Sequence, residues 1–301
     1  MQKTLISIIG STGIGKTKLA IEMAKHFGTE IISCDSRQFF KEMKIGTATP
    51  TDEELAQAKH HFIGHLSVQD YYSIGQYEED ALEKIEEIFE KNDFAVLVGG
   101  SMMYEKAVVE GLNDLPEANA ENQEKLQKIL DEEGLEKLQE ILKNLDEEYY
   151  NVVHKENPRR LLRAIDVIWQ TGRKYSEIIA EPKHKRDFKV VRIGITAPRE
   201  IMYERINLRV DKMLENGLID EVKSLTKYQK LVPLQTVGYT EIFKYLEGTW
   251  DLDFAIEEIK KNSRRYAKRQ ETWNRKVENV TWLPYDYSEE QLHEILSKIE
   301  K

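Results

Sequence analysis

The sequence predicts an α/β chain in which helices cover both faces of a parallel sheet and a mainly helical segment interrupts the core. Three observations carry this reading. Short β-branched and apolar runs at 4–9 (TLISII), 30–34 (EIISC) and 94–98 (FAVLV) alternate with longer segments of helical periodicity, as expected for strands buried on both sides. Between Pro116 and residue 188 the alternation stops, and charged, helix-forming sequence replaces it. Strand character resumes with KVVRIGIT at 189–196. The expected division is therefore 1–115 with 188–301 as the core, and 116–187 as the insertion.

The elements follow in order. The first strand runs through GSTGIGKT at 10–17 into the amphipathic KLAIEMAKHF, so Gly10, Gly15, Lys16 and Thr17 fit G-x-x-x-x-G-K-[ST] between a strand and a helix. This makes the core a P-loop NTPase-like parallel sheet. Loop amides from Gly10, Ser11, Thr12, Gly13, Ile14 and Gly15, the helix N-terminus and Lys16 are suited to a diphosphate or longer, with Thr17 as a Mg²⁺ ligand. Further helices are expected at about 76–91, 198–215, 217–228, 235–246 and 253–276, with a last strand at 280–283 (VTWL). A helix starting near Pro158 turns Arg159 and Arg163 outward and Leu161, Leu162, Ile165, Ile168 and Trp169 inward.

Composition narrows the class. Hydrophobic residues make up 40% and charged residues 33%, which excludes disordered, collagen-like and disulfide-stapled chains. A single cysteine, Cys34, forms no internal disulfide and suits a reducing compartment, so the cytoplasm is expected. No run reaches the length of a membrane-spanning helix, and the N-terminus does not read as a signal peptide. The net charge of −10 conceals an uneven distribution. Residues 117–151 carry −7 and residues 254–276 carry +5, so a basic surface coexists with an acidic total.

The phosphate loop alone does not say whether phosphate is transferred or leaves. Phosphoryl transfer usually needs a Mg²⁺-binding carboxylate at an apolar strand end, yet FAVLV runs into Gly99, Gly100 and Ser101. Asp35, closing the second strand, is the acid available, and strand C-termini gather at the ligand crevice of such sheets. It can lie close to whatever Lys16 holds, and on residue type it otherwise reads as a helix cap or a Mg²⁺-linked carboxylate. On residue types a small-molecule kinase using ATP and a nucleotide-dependent RNA-binding switch both remain open. In 254–276, Ile256, Ile259, Tyr266 and Trp273 form an apolar stripe, and Lys261, Arg264, Arg265 and Lys268 a basic one. Phe39, Phe40, Tyr239 and Trp273 are candidates for base stacking or for the core. His60 and His61 lack partners at metal-ligand spacing, so no zinc site is expected.

Taken with SCDSRQ at 33–38, GTATP at 46–50, HHFI at 60–63, VGGSMMY at 98–104, NPRRLLRAID at 157–166, GLIDEV at 217–222, QTVGYTE at 235–241 and YAKRQETWNR at 266–275, the phosphate loop gives the chain a resemblance to bacterial tRNA dimethylallyltransferases, also called tRNA isopentenyltransferases. The resemblance spans nearly the whole chain. It implies transfer of a dimethylallyl group from dimethylallyl diphosphate to the N6 amine of the adenosine on the 3′ side of the anticodon, with Mg²⁺ and with diphosphate leaving in the loop. By the same resemblance Asp35 is the base, Thr12 lies near the reacting groups, and Arg209 joins Lys16 on the diphosphate. The anticodon stem-loop is assigned to Asp35, Ser36, Arg37, Gln38, Ser101, Arg159, Arg160, Arg163, Gln235, Thr236, Lys268, Arg269, Gln270 and Arg275. A monomer is expected. Ser101 stands where the family usually has Thr, Ser11 replaces a common Pro, Phe40 a common Tyr, and Gly64 follows HHFI where many members carry Asp.

Overall fold

A computed structural model describes residues 2–300. The chain runs through β1 (Thr4–Gly10), α1 (Lys16–Phe27), β2 (Ile31–Ser33), α2 (Asp52–Leu55), β3 (His60–His61), α3 (Ile74–Phe89), β4 (Phe94–Val98) and α4 (Met102–Glu110). It continues with α5 (Ala120–Glu133), α6 (Leu135–Leu145), α7 (Glu147–Val152), α8 (Pro158–Thr171) and α9 (Tyr175–Ile179). The last part comprises β5 (Lys189–Thr196), α10 (Arg199–Glu215), α11 (Leu218–Ser224), α12 (Tyr239–Leu246), α13 (Leu252–Asn274), β6 (Val280–Pro284) and α14 (Glu289–Ile299). Two compact units result: one is the chain up to Val109 joined to the chain from Arg186 onward, the other is Glu110–Lys185. The second boundary is physical, because the Arg186 guanidinium donates to the carbonyls of Val108 (2.8 Å) and Ala107 (2.7 Å) at the end of α4. These contacts put 186 and 187 with the core.

The core sheet has six strands in the order β3-β2-β4-β1-β5-β6, and every pairing is parallel. Alternation along β1 sends Leu5 to a face shared with Ile32, Leu97, Tyr77 and Ile85, and Ile6 and Ile8 to the opposite face with Val96, Leu19, Met23 and Ile193. Each such burial removes a whole aliphatic side chain from water, worth about 1.5–3 kcal/mol. Ser7 interrupts the apolar pattern, and its hydroxyl donates to the buried Glu105 carboxylate (2.8 Å), which Arg192 Nε also reaches (3.2 Å). A buried acid is tolerated here because its Oε1 is paired with both the Ser7 hydroxyl and the Arg192 guanidinium.

All six strands point the same way, so their C-terminal ends lie along one edge. Gly10, Ser33, Val98 and Thr196 end their strands there, which brings the phosphate loop, the 34–38 turn and the 99–101 turn together. Close approach at this edge depends on Gly99. A Cβ at that position would lie 2.5 Å from the Cys34 carbonyl carbon and 2.6 Å from the Asp35 nitrogen. Gly99→Ala is expected to cost about 1–3 kcal/mol by overpacking against backbone, measurable as a lowered thermal denaturation midpoint; an unchanged midpoint would mean the turn yields freely.

Several elements differ from the sequence reading. The pair His60–His61 forms an edge strand too short to show a periodicity, with His61 Nε2 on Glu30 and His60 Nδ1 on the Ala58 carbonyl. The segment expected as a helix from 235 begins only at Tyr239, because Gly238 takes a left-handed φ of 96° and the preceding residues are held in a 3-10 turn at Val232–Leu234. The helix expected to reach 228 stops at Ser224 and continues as a 3-10 turn. No helix among the described residues is long and apolar enough to cross a membrane.

The second unit, α5 to α9, packs Leu126, Leu138, Leu142, Leu161, Leu162, Ile165 and Ile168 into its own core. Two expectations for α8 are corrected. Trp169 is an exposed residue, and Arg163 is engaged internally, pairing with the fully buried Asp166 (3.1 Å) and donating to the Pro116 carbonyl. Asn122 and Gln170 amides also donate to Asp166. A buried carboxylate demands such donors, and Arg163 is the one that neutralises it. Arg159 and Arg160, one turn earlier, are exposed.

Candidate active site

The site starts from the backbone of the phosphate loop. Gly13 (φ 76°) and Gly15 (φ 112°) occupy left-handed conformations that turn the chain from β1 into α1 with its first amides facing outward. Lys16 Nζ donates to the Ser11 carbonyl across the loop (2.8 Å), and the Thr12 amide donates to Gln270 Oε1 (2.8 Å). Two arginines one turn apart on α10 meet the same loop. Arg205 Nε donates to the Gly13 carbonyl (2.9 Å), and Arg209 donates to Thr12 Oγ1 (2.9 Å) and to the Thr47 carbonyl (3.0 Å).

Asp35 faces this loop from the end of β2. Its Oδ1 accepts from the Arg37 amide (3.1 Å) and its carbonyl from the Gln38 amide (3.0 Å), a local turn that fixes the carboxyl. Its Oδ2 would lie 2.9 Å from a Cβ at Gly100, so the glycine leaves room for the acid. Ser101 Oγ accepts from the Ser36 amide (3.0 Å) and contacts Ser36 Oγ (2.9 Å). The Gly100 carbonyl accepts from Tyr266 OH (2.9 Å) and Gln270 Nε2 (2.8 Å). Gln270 thus joins the phosphate loop to the 99–101 turn through α13.

Thr12, Asp35, Ser101, Arg209, Thr236 and Tyr266 line one cavity of about 240 Å³, to which Ser36, Arg37, Thr47 and Ser263 add further polar groups and Ile206, Val210, Met213, Val237 and Ile259 contribute apolar surface. A wider depression of about 800 Å³ shares Arg209 and Met213 with it and gathers Lys41, Lys44, Arg205 and Lys212. The smaller cavity brings the Asp35 carboxyl, Thr12 and Arg209 together. It combines charged and polar groups with five aliphatic or methionine side chains, which suits a ligand with an anionic head and a hydrocarbon tail.

Electrostatics support an anion at the loop. Burial pushes the Lys16 ammonium down to about 8, with Asp35 opposing that shift and Arg209 reinforcing it; burial likewise lowers Arg209. A bound diphosphate favours the ammonium form. Relative to Lys16→Met, in which diphosphate's own titration is the same, affinity for inorganic diphosphate is expected to be steady below pH 8 and to fall up to tenfold per pH unit above it, by calorimetry at pH 7, 8 and 9. Constant relative affinity across that range would remove Lys16 from the anion site. Burial also pushes the Cys34 thiol up, so it stays protonated and unreactive.

The other sequence-assigned residues lie as follows. Gln38 turns inward, its amide donating to the Thr47 (3.3 Å) and Ala48 (3.2 Å) carbonyls. Gln270 is fully buried, so it supports the loop from within and presents nothing to solvent. Gln235 is exposed and donates to the Gln229 carbonyl (2.6 Å), while Arg37 reaches the Val232 carbonyl (3.4 Å). The basic stripe of α13 is partly committed: Lys261 pairs with Glu258 and Arg264 donates to Asn207 (2.7 Å). Lys268 and Arg269 are exposed and line a surface depression with Arg265, Trp273 and Lys276. Arg275 is exposed at a separate pocket beside Trp282. Phe39, Phe40 and Tyr239 belong to the core.

The profile of the IPP transferase family matches residues 38–277. The chain belongs to the IPP transferase family. A protein named tRNA dimethylallyltransferase from Christiangramia forsetii is 50% identical over 300 residues, covering 99% of each chain. One named tRNA dimethylallyltransferase 1 from Bacteroides fragilis is 46% identical over 298 residues, covering 99% of this chain and 98% of its own. Among solved structures, the full-length tRNA isopentenylpyrophosphate transferase of Bacillus halodurans superposes with a TM-score of 0.73 at 36% identity, covering 99% of this chain and 96% of that one. A eukaryotic dimethylallyltransferase acting on tRNA superposes with a TM-score of 0.85 at 27% identity, covering 98% and 79%. Within this IPP transferase fold, sequence reasoning missed Tyr266 as a polar wall of the cavity and Thr47 as the acceptor for Arg209. The first was hidden by its place in an apolar stripe. The second acts through a backbone carbonyl, which no residue type reveals, although GTATP pointed to the segment.

Proposed function

We propose that this chain transfers a dimethylallyl group from dimethylallyl diphosphate to the N6 amine of the adenosine on the 3′ side of the anticodon in tRNA. The observation that carries this reading is the cavity in which the Asp35 carboxyl, Thr12 and Arg209 share one wall system with an apolar side. The loop amides, Lys16 and Arg209 bind the diphosphate, and the apolar side takes the hydrocarbon. The N6 lone pair forms a bond to the allylic carbon as the carbon–oxygen bond breaks, the electron pair leaving with diphosphate. Asp35 takes the N6 proton, a role of value because the adenine amine is a weak nucleophile. Positive groups around the leaving oxygen stabilise the charge that develops there.

Among the described residues no three His, Cys, Asp or Glu side chains cluster as a metal site. The donors present fit Mg²⁺ held chiefly by phosphate oxygens, with Thr17 as a protein ligand. Such an ion would neutralise charge on the diphosphate. Exposed Lys268 and Arg269 on α13, and Arg159 and Arg160 on the inserted unit, are suited to RNA phosphates. An anticodon loop is a fitting partner because an unpaired base leaves its stack at low cost. The chain acts as a monomer in the cytoplasm on this reading.

The test is mass spectrometry of nucleosides from unmodified tRNA incubated with purified protein, Mg²⁺ and either dimethylallyl diphosphate or ATP. A dimethylallyl gain on adenosine with the prenyl donor alone is expected. Phosphate transfer from ATP with no prenylation would establish the kinase reading instead, against the absence of a carboxylate among Gly99, Gly100 and Ser101 at the β4 end.

A further inference from the structure

The Lys44–Pro50 segment forms part of the cavity wall without belonging to any helix or strand, so its backbone groups must find partners elsewhere. The Ala48 and Thr49 amides turn back onto the Ile45 and Lys44 carbonyls, and two further amides meet on one carboxylate. The Ile45 amide donates to Glu221 Oε2 (2.7 Å), and the Gly46 amide to Glu221 Oε1 (2.9 Å). Tyr239 OH donates to the same Oε1 (2.6 Å). Glu221 projects from α11, which is anchored by the buried Leu218 and Val222, and Tyr239 is fully buried. The segment lies flat on that ring: a Cβ at Gly46 would meet Tyr239 ring atoms at 2.5 Å and 2.6 Å. The next carbonyl along, Thr47, accepts from Arg209, whose other nitrogen reaches Thr12.

We propose that Glu221 is a positioning residue for Arg209: it pins the Ile45–Gly46 backbone so that the Thr47 carbonyl orients the guanidinium toward Thr12 and the diphosphate. The inference rests on the reading of Arg209 as a diphosphate ligand given above. The chemistry requires a carboxylate, because three donors converge and both oxygens must accept. A glutamine has a single acceptor oxygen, and its NH2 group would confront either the Ile45 amide or the Gly46 amide. Neither Glu221 nor Tyr239 lines the cavity, so their effect on chemistry passes through the segment and Arg209.

The test is a double-mutant cycle in the full-length protein. Glu221→Ala, Arg209→Ala and the double variant are compared for kcat and for the KM of each substrate, and for inorganic diphosphate binding by calorimetry. Glu221→Ala is expected to lower kcat/KM for the prenyl diphosphate by roughly ten- to a hundredfold with the tRNA KM near wild type. The double variant should then be little worse than Arg209→Ala alone, because residues acting as a unit are non-additive. Multiplying effects would overturn the proposal. So would an equal rise in both KM values accompanied by a lowered denaturation midpoint, the signature of a general structural role. Should Glu221→Ala fail to fold, Glu221→Gln and Tyr239→Phe carry the same cycle, each expected to be milder than Arg209→Ala and equally silent in its background. If the wild type transfers no prenyl group, the proposed function fails by itself; diphosphate affinity across the cycle still decides the coupling, with additive losses counting against it.

Discussion

Asp35→Asn is expected to lower kcat for prenyl transfer by roughly 10²–10⁴, the range a positioned general base contributes, while tRNA affinity stays within a few-fold of wild type. The amide is isosteric and keeps an oxygen for the Arg37 amide, which Oδ1 accepts at 3.1 Å, so the turn and the neighbouring Ser36–Ser101 contact should survive. What disappears is the capacity to take a proton. The substitution also removes the negative charge that partly supports the Lys16 ammonium. The pH above which diphosphate binding weakens should then move below about 8, a second signature independent of turnover. Steady-state kinetics with saturating tRNA, together with filter binding, check both parts. A kcat within a few-fold of wild type would show that the proton goes elsewhere.

Lys16→Met should be the other large loss, about 10²–10³ in kcat/KM for the prenyl diphosphate, by analogy with removal of one preorganised donor to a developing negative charge. Methionine approximates the stem of the side chain, so the apolar packing of the loop is retained while the ammonium is lost. The Ser11 carbonyl loses its 2.8 Å donor and, with Ser11 buried, part of the loss can appear as a lowered denaturation midpoint. The tRNA KM should not change, which separates loss of diphosphate stabilisation from general damage. Because Arg209 raises the cost of a charged Lys16, the variant should bind inorganic diphosphate less weakly than charge removal alone suggests. Calorimetry at pH 7 measures this. A simultaneous rise of the tRNA KM would mean the loop had collapsed.

How much was legible in the sequence depends on the kind of interaction. The strand-to-helix phosphate loop could be read directly because its conformation is dictated locally: Gly13 and Gly15 take φ values that other residues avoid, and Lys16 follows at a set spacing. The buried strands could be read because a parallel sheet covered on both faces leaves no alternation of polarity. The inserted helices could be read from their charge and period. By contrast, Arg163 and Gln270 looked alike as polar groups on amphipathic helices. Asp166 drew the first into the inserted unit, and the Thr12 amide with the Gly100 carbonyl drew the second beneath the loop. A helix period tells which face a residue occupies, and leaves open what that face meets.

By itself, then, the sequence determined the α/β class, the phosphate loop, the split of the core by a helical insertion, and the candidate acid after the second strand, since each rests on neighbours a few positions apart along the chain. The tertiary structure decided the rest. Only folding brings Asp35 beside Gly100, Arg209 onto Thr12 and Thr47, and Glu221 under Ile45 and Gly46. These contacts join residues up to about two hundred positions apart, and many run through backbone amides and carbonyls that every residue carries. No side-chain pattern records them, because their partners are chosen by the geometry of the sheet edge at which the strands end.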